Sequence, residues 1–173
     1  MNHLMIDIET LDTANTAVVV QVGWCLFDAH NISKPTELFP DIQDQIDMGR
    51  TISASTLKWW MTNESIDEMT RQRVFDPVIY TSIEDVAVRL RTVVGSGVDH
   101  VWSHGPHFDI AILKDLLGDN IFHYRSPRDT RTMSLLAPNA VKPPAMTKHS
   151  AGDDAYAQAQ WMQNCWKVAG YQG

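Results

Sequence analysis

Apolar and polar residues alternate over the run Leu4-Met5-Ile6-Asp7-Ile8-Glu9-Thr10, so in an extended strand Ile6 and Ile8 point one way and Asp7 and Glu9 the other. A Val-rich run from Ala17 to Phe27 predicts an adjacent strand, reached through the polar loop Thr10 to Thr16. A further short strand is expected before Ile46. Ser53 or Ser55 is placed to cap a helix through Met61, and a second helix is expected from about Glu64 to Val74, before Pro77. From Ser82 to Val94 the apolar positions Ile83, Val86, Ala87, Leu90 and Val94 recur at helical spacing, and Gly95-Ser96-Gly97 ends them. There follow a strand near residues 99 to 104, a helix from near Phe108, a short segment near Ile121 to Tyr124, and a helix from about Thr130 to Leu136. Pro138 to Lys148, with three prolines, reads as a loop before a final helix. Strands first and then strands alternating with helices predict a three-layer α/β chain.

Length and composition narrow this to one domain over residues 1–173: 44% of residues are hydrophobic, enough for a sizeable core, and there is no repeat or low-complexity stretch. No charged leader precedes a long apolar segment and no run is long enough to span a bilayer, so a cytoplasmic protein with no membrane partner is expected. Cys25 and Cys165 are too few and too far apart for a disulfide framework or a zinc motif, and are expected to be buried thiols.

The polar face of the first strand carries the chemistry. Two carboxylates sharing one patch repel unless a cation lies between them, and hard divalent ions are held by such oxygens. The alternative is the solvent face of an edge strand. Two further carboxylates change the balance. After the Gly105-Pro106 break, Asp109 heads the stripe Ile112, Leu113 and Leu116, on the core side of its helix. An N-terminal Asp favoured by the helix dipole is the plainer reading. In the last helix Asp154 leads to Ala157, Gln158, Trp161, Met162, Cys165 and Ala169, whereas Asp153 leads to Gln160, Asn164 and Lys167 as well as Ala157, so Asp154 is assigned inward and Asp153 mainly outward. His149 lies five residues before Asp154, roughly 140° away on a continuous helix, so the two converge only with His149 on the preceding loop.

The ordered set Asp7-x-Glu9, Asp109 after Phe108, and His149-x₄-Asp154 resembles the DEDDh 3′-5′ exonucleases, the group that includes ribonuclease T, oligoribonuclease and the proofreading exonucleases. Thr56-Leu57-Lys58-Trp59-Trp60, Val101-Trp102-Ser103-His104-Gly105, Arg128-Asp129-Thr130-Arg131-Thr132-Met133 and the segment from His149 to Ala155 are similar to the branch containing the exonuclease VIII nuclease domain, the T-even phage exonuclease A and a mycobacterial exoribonuclease. The resemblance runs from about residue 4 to about residue 166. It implies a ribonuclease H-like three-layer fold with a mixed β-sheet flanked by helices. It also implies two divalent ions, Mg²⁺ or Mn²⁺: Asp7, Glu9 and Asp154 would hold one, Asp7 and Asp109 the other, with His149 taking the proton of the attacking water. The implied products are nucleoside 5′-monophosphates released from a single-stranded DNA or RNA 3′ end, whose hydroxyl Glu9 would contact. Where that branch often reads His-Asn-Ala-x-Asp-Asp-Ala, this chain has Ser150 for the Asn and Gly152 at the variable position. His104 stands where a small or amide residue is expected.

A net charge of −7 argues against a basic nucleic-acid footprint, but four of the acidic residues are proposed ligands whose cations would add positive charge where the scissile phosphate must sit. Trp59 and Trp60 are candidate base-stacking residues; adjacent on a helix they point about 100° apart, so one core takes at most one of them fully. Arg128 and Arg131 are candidate phosphate contacts. Three rivals stand beside the exonuclease reading: an inactive ribonuclease H-like binding module, a ribonuclease H-type endonuclease, and a zinc-binding protein built on His104-x₂-His107. The choice between DNA and RNA and the oligomeric state, with a homodimer among the arrangements, stay open at this stage.

Overall fold

The fold is that of a computed structural model describing residues 1–171. Strands β1 (His3–Thr10), β2 (Val19–Phe27) and β3 (Thr36–Pro40) form an antiparallel meander. Helices α1 (Ile42–Asp47), α2 (Ala54–Thr62) and α3 (Glu68–Val74) follow, then the two-residue β4 (Tyr80–Thr81) and α4 (Ile83–Gly95). The remainder alternates: β5 (His100–Ser103), α5 (Asp109–Leu117), β6 (Pro127–Asp129), α6 (Thr130–Leu136) and α7 (Ala151–Val168). The six strands lie in the order β4-β3-β2-β1-β5-β6, with β5 parallel to β1 and β6 parallel to β5.

The side-chain alternation of β1 divides the protein into layers. Leu4, Ile6 and Ile8 pack with Val86 and Leu90 of α4 and Ile112 and Leu113 of α5, while Met5, Cys25 and Phe27 pack with Ala155, Ala159, Met162 and Cys165 of α7. A third cluster joins Leu11, Val18, Val20 and Phe39 to Trp60 of α2 and Val74 of α3. This is the mixed sheet between helical layers that the resemblance implies. Because β1 is flanked by β2 and β5, Asp7 and Glu9 are not on an edge strand.

Most expected elements are present, with shifted ends. Ser53, rather than Ser55, caps α2 by accepting from the Thr56 N–H. The following helix starts at Glu68 instead of Glu64, because Asp67 caps it and Asn63 ties Ser65 into a turn. The segment at Ile121 to Tyr124 forms no strand: a 3₁₀ turn over Asp119–Ile121 is followed by extended backbone at Phe122. Strand β6 was not expected: three residues beginning with Pro carry no alternation to detect. Cys25 and Cys165 are free and buried, and burial pushes the Cys25 thiol up to about 12. No described helix is long and apolar enough to cross a membrane.

One close approach brings α7 onto the sheet. A Cβ on Gly23 of β2 would stand 2.1 Å from the Ala151 carbonyl carbon, so only glycine lets the first turn of α7 rest on β2.

Candidate active site

Pairing between β1 and β5 stops at Met5, and the Ile8 N–H farther along is taken up by Asp109 Oδ1 at 3.2 Å. Asp109 is the first residue of α5 and is 5% exposed; Ile112, Leu113 and Leu116 behind it are buried, as its helical stripe predicts. On the opposite side, α7 begins at Ala151, which leaves His149 on the loop where convergence with Asp154 requires it. Its backbone N–H donates to Asp154 Oδ2 at 2.9 Å. His149 has φ of +62°, the left-handed region, which costs a non-glycine residue about 1–2 kcal/mol and needs support of this kind.

The ring of His149 is held from three sides. Nδ1 is 3.5 Å from Glu9 Oε1, Nε2 is 3.3 Å from Ser65 Oγ, and the Trp59 ring meets it edge to face at 4.8 Å between centroids. Glu9, His149 and Asp154 offer ligand atoms within 4.8 Å of one another. Asp7, on the same face of β1 as Glu9, accepts from Gln158 Nε2 at 2.7 Å. Asp153 is turned elsewhere and accepts from the Thr147 N–H at 3.1 Å, which anchors the loop before His149. All five residues of the predicted constellation, Asp7, Glu9, Asp109, His149 and Asp154, line one cavity of about 480 Å³, together with Gln158, His104, Arg131 and Lys142.

Burial and crowding disturb these acids. The Asp7 carboxyl is held well above the usual carboxylate range, first by burial and then by Asp109, Glu9 and Asp154. Burial raises Asp109 to about 7, against the bond it accepts from Ile8 N, and raises Asp154 to about 6, helped by Glu9. Hydrogen bonding to Glu9 pushes the His149 imidazole up, against its own burial. Among the described residues no Lys or Arg forms an ion pair with any of the four carboxylates. Four clustered, uncompensated oxygen donors fit hard divalent cations such as Mg²⁺ or Mn²⁺.

The family of 3′-5′ exoribonuclease Rv2179c-like domains matches residues 2–166. The chain belongs to that family. Solved structures of similar fold are the zinc-bound complex of E. coli exonuclease I with single-stranded DNA, at 13% identity and a TM-score of 0.69, and exonuclease I from Methylocaldum szegediense, at 16% and 0.67. They cover 97% and 95% of this chain, which spans only 42% and 40% of theirs. No curated protein is a significant match in sequence.

The candidate substrate contacts of this exoribonuclease-like domain separate on inspection. Trp60 is fully buried with its Nε1 donating to the Thr10 carbonyl at 2.9 Å, so it is a core residue and not a stacking surface. Trp59 is 37% exposed and touches His149, so of the pair only Trp59 is available to a base. Arg128 stands apart from the cavity: its Nη1 donates to the Arg125 and Pro127 carbonyls, which fixes the turn into β6. Arg131 does line it.

Two lining residues, Gln158 and Lys142, had no role assigned from sequence, and His104 had only the zinc reading. Gln158 is buried on the stripe that Asp154 leads, and its Oε1 has no partner among the described residues. A polar residue in an apolar stripe was the available signal. Lys142, on the proline-bearing loop, lies over the Trp161 ring at 5.0 Å and reaches the cavity. His104 Nδ1 bonds Thr130 Oγ1 at 2.8 Å, and burial, with Lys142 and Arg131 nearby, lowers its pKa. The zinc reading of His104 and His107 gains no support: His104 Nδ1 is engaged by Thr130, His107 is exposed, and among the described residues neither belongs to a group of three closely spaced His, Cys, Asp or Glu ligand atoms.

Proposed function

We propose that residues 1–173 form one domain that removes nucleotides from the 3′ end of single-stranded RNA or DNA, releasing nucleoside 5′-monophosphates. The observation that carries this reading is a cluster of four carboxylates without cationic partners, with an imidazole pinned against one of them. Family membership favours RNA, since the family is described as exoribonucleases, while the fold relatives include complexes of E. coli exonuclease I with single-stranded DNA. The two buried free thiols support a reducing, cytoplasmic setting.

In this mechanism Asp7, Glu9, Asp109 and Asp154 would hold two divalent ions, Mg²⁺ or Mn²⁺. Such ions stabilise the charge of an in-line phosphoryl displacement. His149 removes the proton from the attacking water, a task that needs its neutral form; activity therefore falls as pH drops through the raised imidazole pKa. Water oxygen bonds to phosphorus, the P–O3′ bond breaks, and the shortened strand keeps a 3′-hydroxyl. Gln158 fixes the Asp7 carboxylate, and Glu9 faces the terminal 3′-hydroxyl. Arg131 and Lys142 offer positive charge to the strand, and Trp59 offers a ring edge and face at the base side.

The test uses 5′-end-labelled single-stranded RNA and DNA with Mn²⁺, beside a covalently closed circle. Stepwise shortening from the 3′ end, with monophosphate products and an intact circle, is expected. Internal cuts in the circle would make the protein an endonuclease, and no cutting of either linear strand would support the inactive binding module.

A further inference from the structure

The left-handed backbone of His149 is supported from outside its own turn. Ser150 occupies the N-cap of α7, yet its side chain makes no bond to that helix. Its hydroxyl donates instead to Glu37 Oε1, on β3. The helix is capped in trans: the Ala151 N–H donates to Gln21 Oε1 at 3.0 Å and the Gly152 N–H to Glu37 Oε1 at 3.0 Å. A Cβ on Gly152 would stand 2.6 Å from Glu37 Cγ, so the helix backbone is seated directly on this side chain. The other carboxylate oxygen, Oε2, pairs with Arg73 Nη2 of α3 at 3.0 Å.

Both routes lead to one imidazole. Ser150 follows His149 directly, and the α2–α3 segment supplies Trp59 and Ser65, which touch its ring. Glu37 itself does not line the carboxylate cavity; it faces a separate cleft with Asp67, Arg73 and Asp153. A carboxylate at this point serves two geometries at once, a helix N-terminus on one oxygen and a guanidinium on the other.

We propose that Glu37 is a positioning residue for the catalytic turn: through Ser150 and Gly152 it holds His149 against Glu9, and through Arg73 it keeps the Trp59 helix pressed on the same ring. The proposal rests on the reading of His149 as the base.

The test compares Glu37→Ala with Glu37→Gln, which keeps an oxygen acceptor for Ser150 and Gly152. Turnover of a 5′-labelled single-stranded oligonucleotide with Mn²⁺ is measured together with the NMR signals of the His149 ring, which the Trp59 ring current displaces. Glu37→Ala should lower kcat by about 10- to 100-fold with KM within about twofold, as misplacement of a reacting group does. Its His149 signals should move away from their wild-type positions. Glu37→Gln, which keeps the acceptor for Ser150 and Gly152 but loses the ion pair with Arg73, should retain most of kcat, with His149 signals displaced less than in Glu37→Ala. Should Glu37→Ala fail to fold, Ser150→Ala, which removes one bond, should lower kcat in the same direction without changing KM. Unchanged kcat and unmoved His149 signals in Glu37→Ala, or in Ser150→Ala when that variant stands in, would overturn the proposal, as would a loss confined to KM or a Glu37→Gln variant as impaired as Glu37→Ala. Were the wild type to degrade no strand, the proposed function would fail while the NMR signals still decided the role of Glu37.

Discussion

Helix α7 lies antiparallel along β1, and the two ends of that single interface are built for opposite purposes. At the start of β1, His3 packs at tilted and edge-on angles among Phe27, Trp102 and Trp166, with the Trp166 ring 4.9 Å from His3 and 5.3 Å from Phe27. At the end of β1, the same face presents Asp7 and Glu9 to Asp154 and Gln158. Burial is the leading influence on His3 at one end and on Asp7, Asp109 and Asp154 at the other. It lowers His3 to about 4, keeping the ring neutral in an aromatic core, and it raises Asp109 to about 7 and Asp154 to about 6 in one cavity. One end ties a buried polar pair together inside the protein, Trp102 Nε1 donating to His3 Nδ1 at 3.1 Å. The other leaves negative charge to be balanced by something that binds.

The sharpest break in this contrast comes from the carboxylates. Asp7→Ala, Glu9→Ala, Asp109→Ala and Asp154→Ala should each reduce Mn²⁺-dependent strand shortening by roughly 10³-fold or more. Asp153→Ala should lose far less, because that side chain holds only the Thr147 N–H. Equal losses at Asp153 and Asp154 would remove the assignment of Asp154 to the site. Next in size, His149→Ala should slow the chemical step by roughly 10² to 10⁴ while Mn²⁺ still binds. Calorimetry showing parallel loss of Mn²⁺ affinity would make the histidine a ligand instead.

At the aromatic end the effect should fall on stability alone. Trp166→Ala should destabilise by about 3–5 kcal/mol in urea unfolding, with turnover per folded molecule unchanged. Reduced turnover in fully folded Trp166→Ala would show that the two ends are coupled. Trp59→Ala should weaken capture of a single-stranded end by about 1–3 kcal/mol at the same ion requirement, measured as Kd on a strand with catalysis blocked by Asp154→Ala.

Much of the contrast was legible in the sequence, for physical reasons that also mark where legibility stops. Strand alternation put Asp7 and Glu9 together, and helical spacing sent Asp109 and Asp154 inward, because both are local rules acting over a few residues. The spacing of Trp59 and Trp60 allowed one buried ring without saying which; the Thr10 carbonyl that receives Trp60 Nε1 decides it, 50 positions away. The bonds from Arg128 Nη1 to the Arg125 and Pro127 carbonyls belong to a turn with no periodic signature, so spacing did not reveal them. The bonds from Gln158 to Asp7 and from Ser150 to Glu37 join residues 151 and 113 positions apart, a distance at which spacing carries no information.

The most direct test of the contrast is thermal unfolding at pH 5.5 and pH 8, with Mn²⁺ and with EDTA. The raised carboxyls stabilise the fold in their neutral form. That contribution is full below the ordinary carboxyl value of 3.8 and is lost as pH rises through about 6 to about 7, where the folded groups ionise against one another. His3 acts in the reverse direction: its contribution is present above 6.5 and is lost, by about 1–3 kcal/mol, as pH falls towards about 4. Mn²⁺ binds the ionised carboxylates, so at saturating Mn²⁺ the Tm should rise by roughly 5–10 °C at pH 8 and by much less at pH 5.5, with EDTA reversing the rise. Asp154→Ala should lose most of the shift and Trp166→Ala should keep it. A Tm indifferent to Mn²⁺ at pH 8 in the wild-type protein would contradict a cation-binding carboxylate end.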